Sequence, residues 1–151
     1  MTNFQRLGSH SNARVGSDFE EVVRAYFASQ GIHLHRSHSV EVGLNERKKR
    51  HKFDLGCDEQ KVLVECKAHR WTSGNNIPSA KLTVWNEAML YFLASPMDYR
   101  KILCVIKDHS KSRNETLAQY YLRIYSHLIP DAVEIWEFNE TDQTMRQLHP
   151  V

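Results

Sequence analysis

The sequence predicts an α/β domain built on a mixed sheet of about five strands with helices packed against it. Three observations carry this. Apolar residues recur at helical spacing in three segments, around residues 17–30, 79–95 and 115–128. A hairpin pattern spans Lys52 to His69, where Phe53 and Leu55 alternate with Asp54 and Val62, Val64 and Cys66 alternate with Leu63, Glu65 and Lys67. Two further apolar runs, Arg100 to Lys107 and Ala132 to Phe138, flank the third helical segment. A strand–helix–strand succession implies a parallel pair, so parallel and antiparallel pairing meet in one sheet.

Taken in order, residues 1–15 are polar and carry Arg6 and Arg14; they read as an arm ahead of a single domain at 16–151. Ser17 to Gln30 is the first helix, with Phe19, Val22, Val23, Tyr26 and Phe27 on its apolar face and Gly31 as its stop. Ser17 and Glu20 have the spacing of a capping box. Ile32 to Val42 is the first strand; His33 and His35 share one face and His38 the other, a spacing without the further ligands a zinc site needs. Gly43 to Lys52 is a basic loop in which Arg47, Lys48, Lys49, Arg50 and Lys52 place five cations in six positions. Such a run reads as a solvated loop, a localisation signal or a phosphate-binding surface.

The hairpin turns at Asp58-Glu59-Gln60-Lys61, and Ala68 to Pro78 is a loop by its Ser, Gly, Asn and Pro content. Trp71 in that loop either stacks on a base or closes the loop over the core. Ser79 to Ser95 is the second helix, with Ser79 as N-cap, Leu82, Trp85, Met89 and Phe92 as its buried stripe, and Pro96 as its end. Arg100 to Lys107 reads as a strand buried on both faces. Ser112 and Glu115 form a second capping-box pattern ahead of a helix ending before Pro130. Ala132 to Phe138 reads as an edge strand with Glu134 and Glu137 outward, and a short strand is expected near Met145–Leu148.

The chain has 151 residues, 41% hydrophobic and 25% charged, in the range of one globular domain. No apolar run reaches membrane length and no apolar leader opens the chain, so a cytoplasmic location is expected. Cys57, Cys66 and Cys104 lack CxxC spacing and sit in apolar strands, as buried thiols of a reducing compartment do. Net charge is +2; residues 131–151 hold one Arg and five acids, a balance of −4, leaving +6 on residues 1–130. That excludes a histone-like binder and allows a local basic surface.

The hairpin carries the chemistry. A turn centred on the Glu59–Gln60 bond sets Asp54 opposite Glu65, with Cβ atoms about 5 Å apart. Glu65 and Lys67 then share a face, and Val62, Val64 and Cys66 point into a core. Two carboxylates so placed repel, and a divalent cation, Mg²⁺ or Mn²⁺, removes the conflict. Lys67 adds positive charge where a nucleophilic water or a phosphorane oxygen would sit. The same trio also reads as a surface salt-bridge set of little energy. Cys66 and His69 do not make a cysteine hydrolase, because Cys66 faces the core and lacks a partner acid.

Asp54, ten intervening residues and Glu65-Cys66-Lys67 resemble the motif of the PD-(D/E)xK nuclease superfamily, with Phe53 where the motif name has Pro. The resemblance spans residues 16–138 and implies the restriction-endonuclease-like three-layer sandwich, in the order αβββαβαβ. It implies that Asp54, Glu65 and Lys67 are catalytic and that the Cys66 carbonyl is a further metal ligand. Phe19-Glu20-Glu21-Val22-Val23 is similar to the opening helix of Mrr-like members, which implies a metal-shell role for Glu20 in competition with its capping role. Lys81 on the second helix is expected near the scissile phosphate, or else as a plain surface lysine. The basic loop and Arg70 are expected on the DNA backbone. These implications define a metal-dependent endonuclease acting on DNA, of restriction or host-defence type, working as a homodimer or with a recognition subunit. The alternatives are a junction-resolving or repair nuclease, a non-catalytic nucleic-acid-binding subunit that keeps the fold, and a protein-interaction subunit.

Overall fold

The computed structural model describes residues 8–151, with side chains from residue 16 onward. Its elements are α1 (Gly8–Ser29), β1 (His35–Val42), β2 (Lys49–Cys57), β3 (Val62–Lys67), α2 (Ser79–Ala94), β4 (Arg100–Ile106), β5 (His109–Ser110), β6 (Glu115–Thr116), α3 (Leu117–Tyr125), β7 (Val133–Asn139) and β8 (Thr144–His149). One mixed sheet runs β1-β2-β3-β4-β7-β8. The β3/β4 and β4/β7 pairs are parallel and the others antiparallel. Parallel and antiparallel pairing therefore meet at β3, as expected, and β8 makes a sixth strand. No helix of the described residues is long and apolar enough to cross a membrane.

The sheet separates two cores. On one face Phe19, Val23 and Phe27 of α1 pack on Leu55, Val62, Val64, Ile102 and Cys104. On the other, Leu82, Trp85, Met89 and Phe92 of α2 and Leu117 and Tyr121 of α3 pack on Phe53, Leu63, Leu103, Val105 and Ile135. Alternate residues of β3 and β4 serve the two cores, so β4 is buried from Lys101 to Ile106. Leu63 faces α2, and its register neighbours Glu65 and Lys67 follow on that face.

Several boundaries differ from the sequence reading. The expected arm is helical from Gly8, and residues 1–7, with Arg6, lie outside the described residues. Ser17 is thus inside α1 and caps nothing; its hydroxyl and carbonyl accept hydrogen bonds from Arg36 instead. Gly31 closes the helix as expected, at φ 84°, its N–H donating to the Ala28 carbonyl. The basic loop ends at Lys48: Lys49, Arg50, His51 and Lys52 pair with Val42, Glu41, Val40 and Ser39 in β2. Because β3 pairs only with Leu55–Cys57, the first half of β2 has β1 alone as neighbour, and these long cations keep their heads in water while their backbone joins the ladder.

Pro78, not Ser79, is the N-cap of α2 and makes no side-chain cap bond. The α3 capping box is Thr116 with Gln119, because Ser112 lies in the turn of the β5/β6 hairpin and Glu115 pairs with Arg123. β7 is not an edge strand, since β8 covers it, and Glu137 is buried, which raises its pKa.

Candidate functional site

The β2–β3 register places Leu55 opposite Val64, Gly56 opposite Leu63 and Cys57 opposite Val62. The observed pairs end at Leu55–Val64, one position short of Asp54 and Glu65, and the Asp54 charge acts on Glu65. Asp54 Oδ2 accepts a hydrogen bond of 2.8 Å from the Cys66 backbone N–H. Lys67 Nζ stands 3.3 Å from Glu65 Oε2, with both side chains largely covered. Asp54, Glu65 and Lys67 line one cavity of about 140 Å³ between the sheet and α2, walled there by Glu87 and Tyr91.

One expectation fails instructively. Strict alternation would put Phe53 and Leu55 on one face, yet Phe53 stacks on Phe92 of α2 (centroids 5.6 Å apart, planes at 13°) while Leu55 lies in the α1 core. The alternation breaks between them, at Asp54. Across the ladder Ser37 has φ 55°, and the β1–β2 pairing passes from Arg36–Leu55 to His38–Phe53 without a Ser37–Asp54 pair. The break leaves Asp54 where its charge acts on both Glu65 of β3 and Glu20 of α1.

The electrostatics follow. Burial first, then the Asp54 charge, pushes the Glu65 carboxyl up to about 7 against the pull of Lys67. Glu20 is also raised, mainly by burial, and is restrained by Arg36, whose Nη2 donates to Glu20 Oε2 at 2.7 Å. Arg36 was not anticipated; its position opposite Leu55, facing α1, was the available signal. Glu21 pairs with Arg24 in solvent.

The Asp54 charge acts on both Glu20 and Glu65, and carboxylate oxygens gathered in this way suit a divalent cation. Among the described residues, no three His, Cys, Asp or Glu side chains gather closely enough to hold a metal by themselves. A cation here would rest on Asp54, Glu65, backbone oxygen and water.

The basic residues divide. Lys52 lines the cavity. Arg47, Lys48, Lys49 and Arg50 are exposed along the β1–β2 ribbon, where Lys48 Nζ donates to the Gly43 carbonyl and Arg50 to the Ser39 carbonyl. Arg70 is not with them: it pairs with Glu140 beside a groove floored by Phe19 and Phe138 on the α1 side. Lys81 is exposed on the first turn of α2, near enough to His69 for its charge to act there.

His51 stacks on Tyr91 at 3.6 Å and walls the cavity, a role its parity with Phe53 could have signalled. Trp71 packs: its indole N–H and backbone N–H both donate to Asp108, and Arg113 covers its ring. The thiols are unpaired, and Cys66 packs toward α1 with burial raising its pKa, which fits no nucleophile. No family model, curated protein or solved structure matches the chain.

Proposed function

We propose that the chain is a divalent-metal-dependent endonuclease that hydrolyses phosphodiester bonds in DNA, of restriction or host-defence type and with the restriction-endonuclease-like fold. The observation that carries this reading is the convergence of Asp54, Glu65 and Lys67 from two strands on one cavity, with Glu65 buried and 3.3 Å from Lys67. Asp54, Glu65 and the Cys66 carbonyl would hold Mg²⁺ or Mn²⁺, with Glu20 reaching the shell through water. Such a cation, when bound, supplies a water of lowered pKa and offsets phosphate charge.

The chain's own groups have distinct tasks. Lys67 carries three N–H donors; one faces Glu65, and the others serve to orient a water and steady charge on the phosphorus oxygens. The Cys66 N–H holds one Asp54 oxygen, which fixes the carboxylate and leaves Oδ1 for another partner. Arg36 anchors Glu20. Lys52, with Arg47, Lys48, Lys49 and Arg50 along the ribbon, docks the DNA backbone without reading sequence. Arg70, engaged with Glu140, lies outside this set. Target recognition falls to a homodimer or a partner subunit, and the reading places the protein in the cytoplasm.

Supercoiled plasmid incubated with Mg²⁺ tests the reading. Wild type is expected to nick it, and Asp54→Ala and Lys67→Ala to leave it intact. A second reading, a nucleic-acid-binding subunit that does not cut, is favoured by the Arg36 hold on Glu20 and by the absence of a three-ligand group among the described residues. Salt-sensitive, metal-independent binding by a wild type that never nicks would select it.

A further inference from the structure

We propose that Arg113, in the turn of the β5/β6 hairpin, reads a base: its guanidinium takes the O6 and N7 acceptors of a guanine in the major groove of DNA. The proposal rests on the nuclease reading for its substrate and gives the chain itself a share in target recognition.

Arg113 is fixed through both its backbone and its side chain. Its backbone N–H donates to the hydroxyl of Ser110, a fully buried residue, at 3.3 Å, and Asn114 beside it turns the chain at φ 52°. Its Nε–H donates to the Asn75 carbonyl at 2.9 Å. Its guanidinium carbon lies 5.0 Å from the centre of the Trp71 ring and 6.0 Å from that of Tyr120. Those two rings meet edge to face, 5.5 Å apart, and Trp71 is pinned to Asp108 through its indole and backbone N–H groups. The guanidinium therefore rests on a rigid platform.

Arg24, Arg36, Arg70, Arg100 and Arg123 each meet an acid. Arg123 also lies over the Tyr120 ring, yet its Nε and Nη2 both donate to Glu115. Among the described residues Arg113 has no acid, and of its five side-chain N–H donors only Nε–H has an acceptor. It is exposed, and neither residues 72–76 nor residues 109–114 include an Asp or a Glu. A surface arginine ordinarily gives up rotamer freedom when it binds. This one has already given it up in the fold, so its terminal N–H groups stand as a fixed planar fork. Such a fork matches two acceptors side by side in one plane, which is what a guanine edge presents. The loosely held cations of the β1–β2 ribbon suit phosphates instead.

The position fits a duplex that also reaches the cavity. β5 and β6 form a two-stranded ribbon of their own, a shape that a major groove admits. β3 and β4 run parallel with Lys67 opposite Val105, so Trp71 after β3 and the hairpin after β4 both lie beyond the sheet end where Lys67 stands. Trp71 and Tyr120 belong to the α2 and α3 core, on the side of the sheet that carries the cavity. The four residues from Lys67 to Trp71 span at most about 14 Å, well inside the ~34 Å of one duplex turn. Arg113 touches substrate in this arrangement; Trp71, Tyr120 and Asn75 are positioning residues.

The test is selection from a pool of DNA duplexes with a randomised central segment, bound in EDTA and then sequenced. Wild type is expected to enrich guanine at one position by about tenfold over the other bases. R113A and R113K are each expected to bring that preference within about twofold and to leave the other enriched positions in place, since Lys keeps the charge without the fork. Near-UV circular dichroism checks the Trp71 platform; if R113A does not fold, R113K against wild type carries the comparison.

Wild-type guanine preference in R113A or R113K overturns the proposal. So does an R113A that binds every sequence equally more weakly while R113K recovers the affinity, which would mean a phosphate contact. A wild type that binds no duplex, or binds all alike, overturns it as well. Plasmid nicking run in parallel separates the two readings. A guanine preference lost in R113K by a protein that never nicks leaves the base contact standing and defeats the nuclease; nicking with a preference that R113K leaves unchanged does the reverse.

Discussion

Two acid–base clusters sit on the same sheet and are built to different charge counts. On β4 and β7, Arg100 grips Glu134 with two nitrogens, at 2.5 and 2.8 Å, one cation to one acid. Between β2 and β3, Lys67 pairs with Glu65 while Asp54 adds a second acid, and burial first, then the Asp54 charge, pushes the Glu65 carboxyl up to about 7. The first cluster neutralises itself and holds two parallel strands in register. The second is left wanting positive charge next to a cavity, the condition that recruits a divalent ion or a cationic partner. The difference lies in stoichiometry and access, since both clusters use ordinary residues on ordinary strands.

Substitutions can break that contrast. The largest expected effect is on cleavage: Asp54→Ala or Lys67→Ala lowers plasmid nicking by at least about 10²-fold, while Arg100→Ala stays within about twofold of wild type. Next is the pH dependence of stability, read by urea unfolding in EDTA. The Glu65 carboxyl is ordinarily near 4.5 and about 7 when folded. Below about pH 4.5 it is protonated in both states and carries no penalty. As pH rises through 7 the folded chain must ionise a buried group, so stability falls, by on the order of 2 kcal/mol. Glu65→Gln removes that decline.

A smaller effect comes from the ion itself. At tenfold its Kd, Mg²⁺ stabilises wild type by about 1.4 kcal/mol and Asp54→Ala not at all, read as a shift in Tm. Smallest is the self-neutralised pair. Glu134→Gln, in a cluster whose Arg100 is partly exposed, costs up to about 1 kcal/mol, with no response to divalent ions.

The site was legible in the sequence to the extent that it was local. A short turn at Asp58–Lys61 and the apolar alternation of Val62 and Val64 leave one register, which pairs Leu55 with Val64, and Asp54 follows close enough for its charge to act on Glu65. What escaped depends on distant residues. The break at Asp54 is matched by the backbone of Ser37 on another strand. Arg70 is drawn to Glu140, seventy positions away, and no local pattern distinguishes it from a DNA-facing arginine. The ring of His69 is fixed by Trp85 of α2.

Local patterns also misled where two solutions satisfied them. Ser17 and Glu20 have capping-box spacing inside a longer helix. Ser112 with Glu115 and Thr116 with Gln119 both match the box, and the β5/β6 hairpin decides for the second. The cations at Lys49 and Arg50 looked like loop, yet the first half of β2 pairs with β1 alone and stays exposed, so it tolerates what a buried strand rejects. The sixth strand β8, expected only as a short segment, became definite through its pairing with β7.

The account turns on Asp54 and Glu65 sharing one cation, and titration calorimetry with Mn²⁺ at neutral pH measures that directly. Wild type should bind one ion per chain, and Asp54→Ala and Glu65→Gln should each abolish the heat. A wild type that takes up no ion, or an Asp54→Ala variant that binds it with undiminished affinity, would contradict the account.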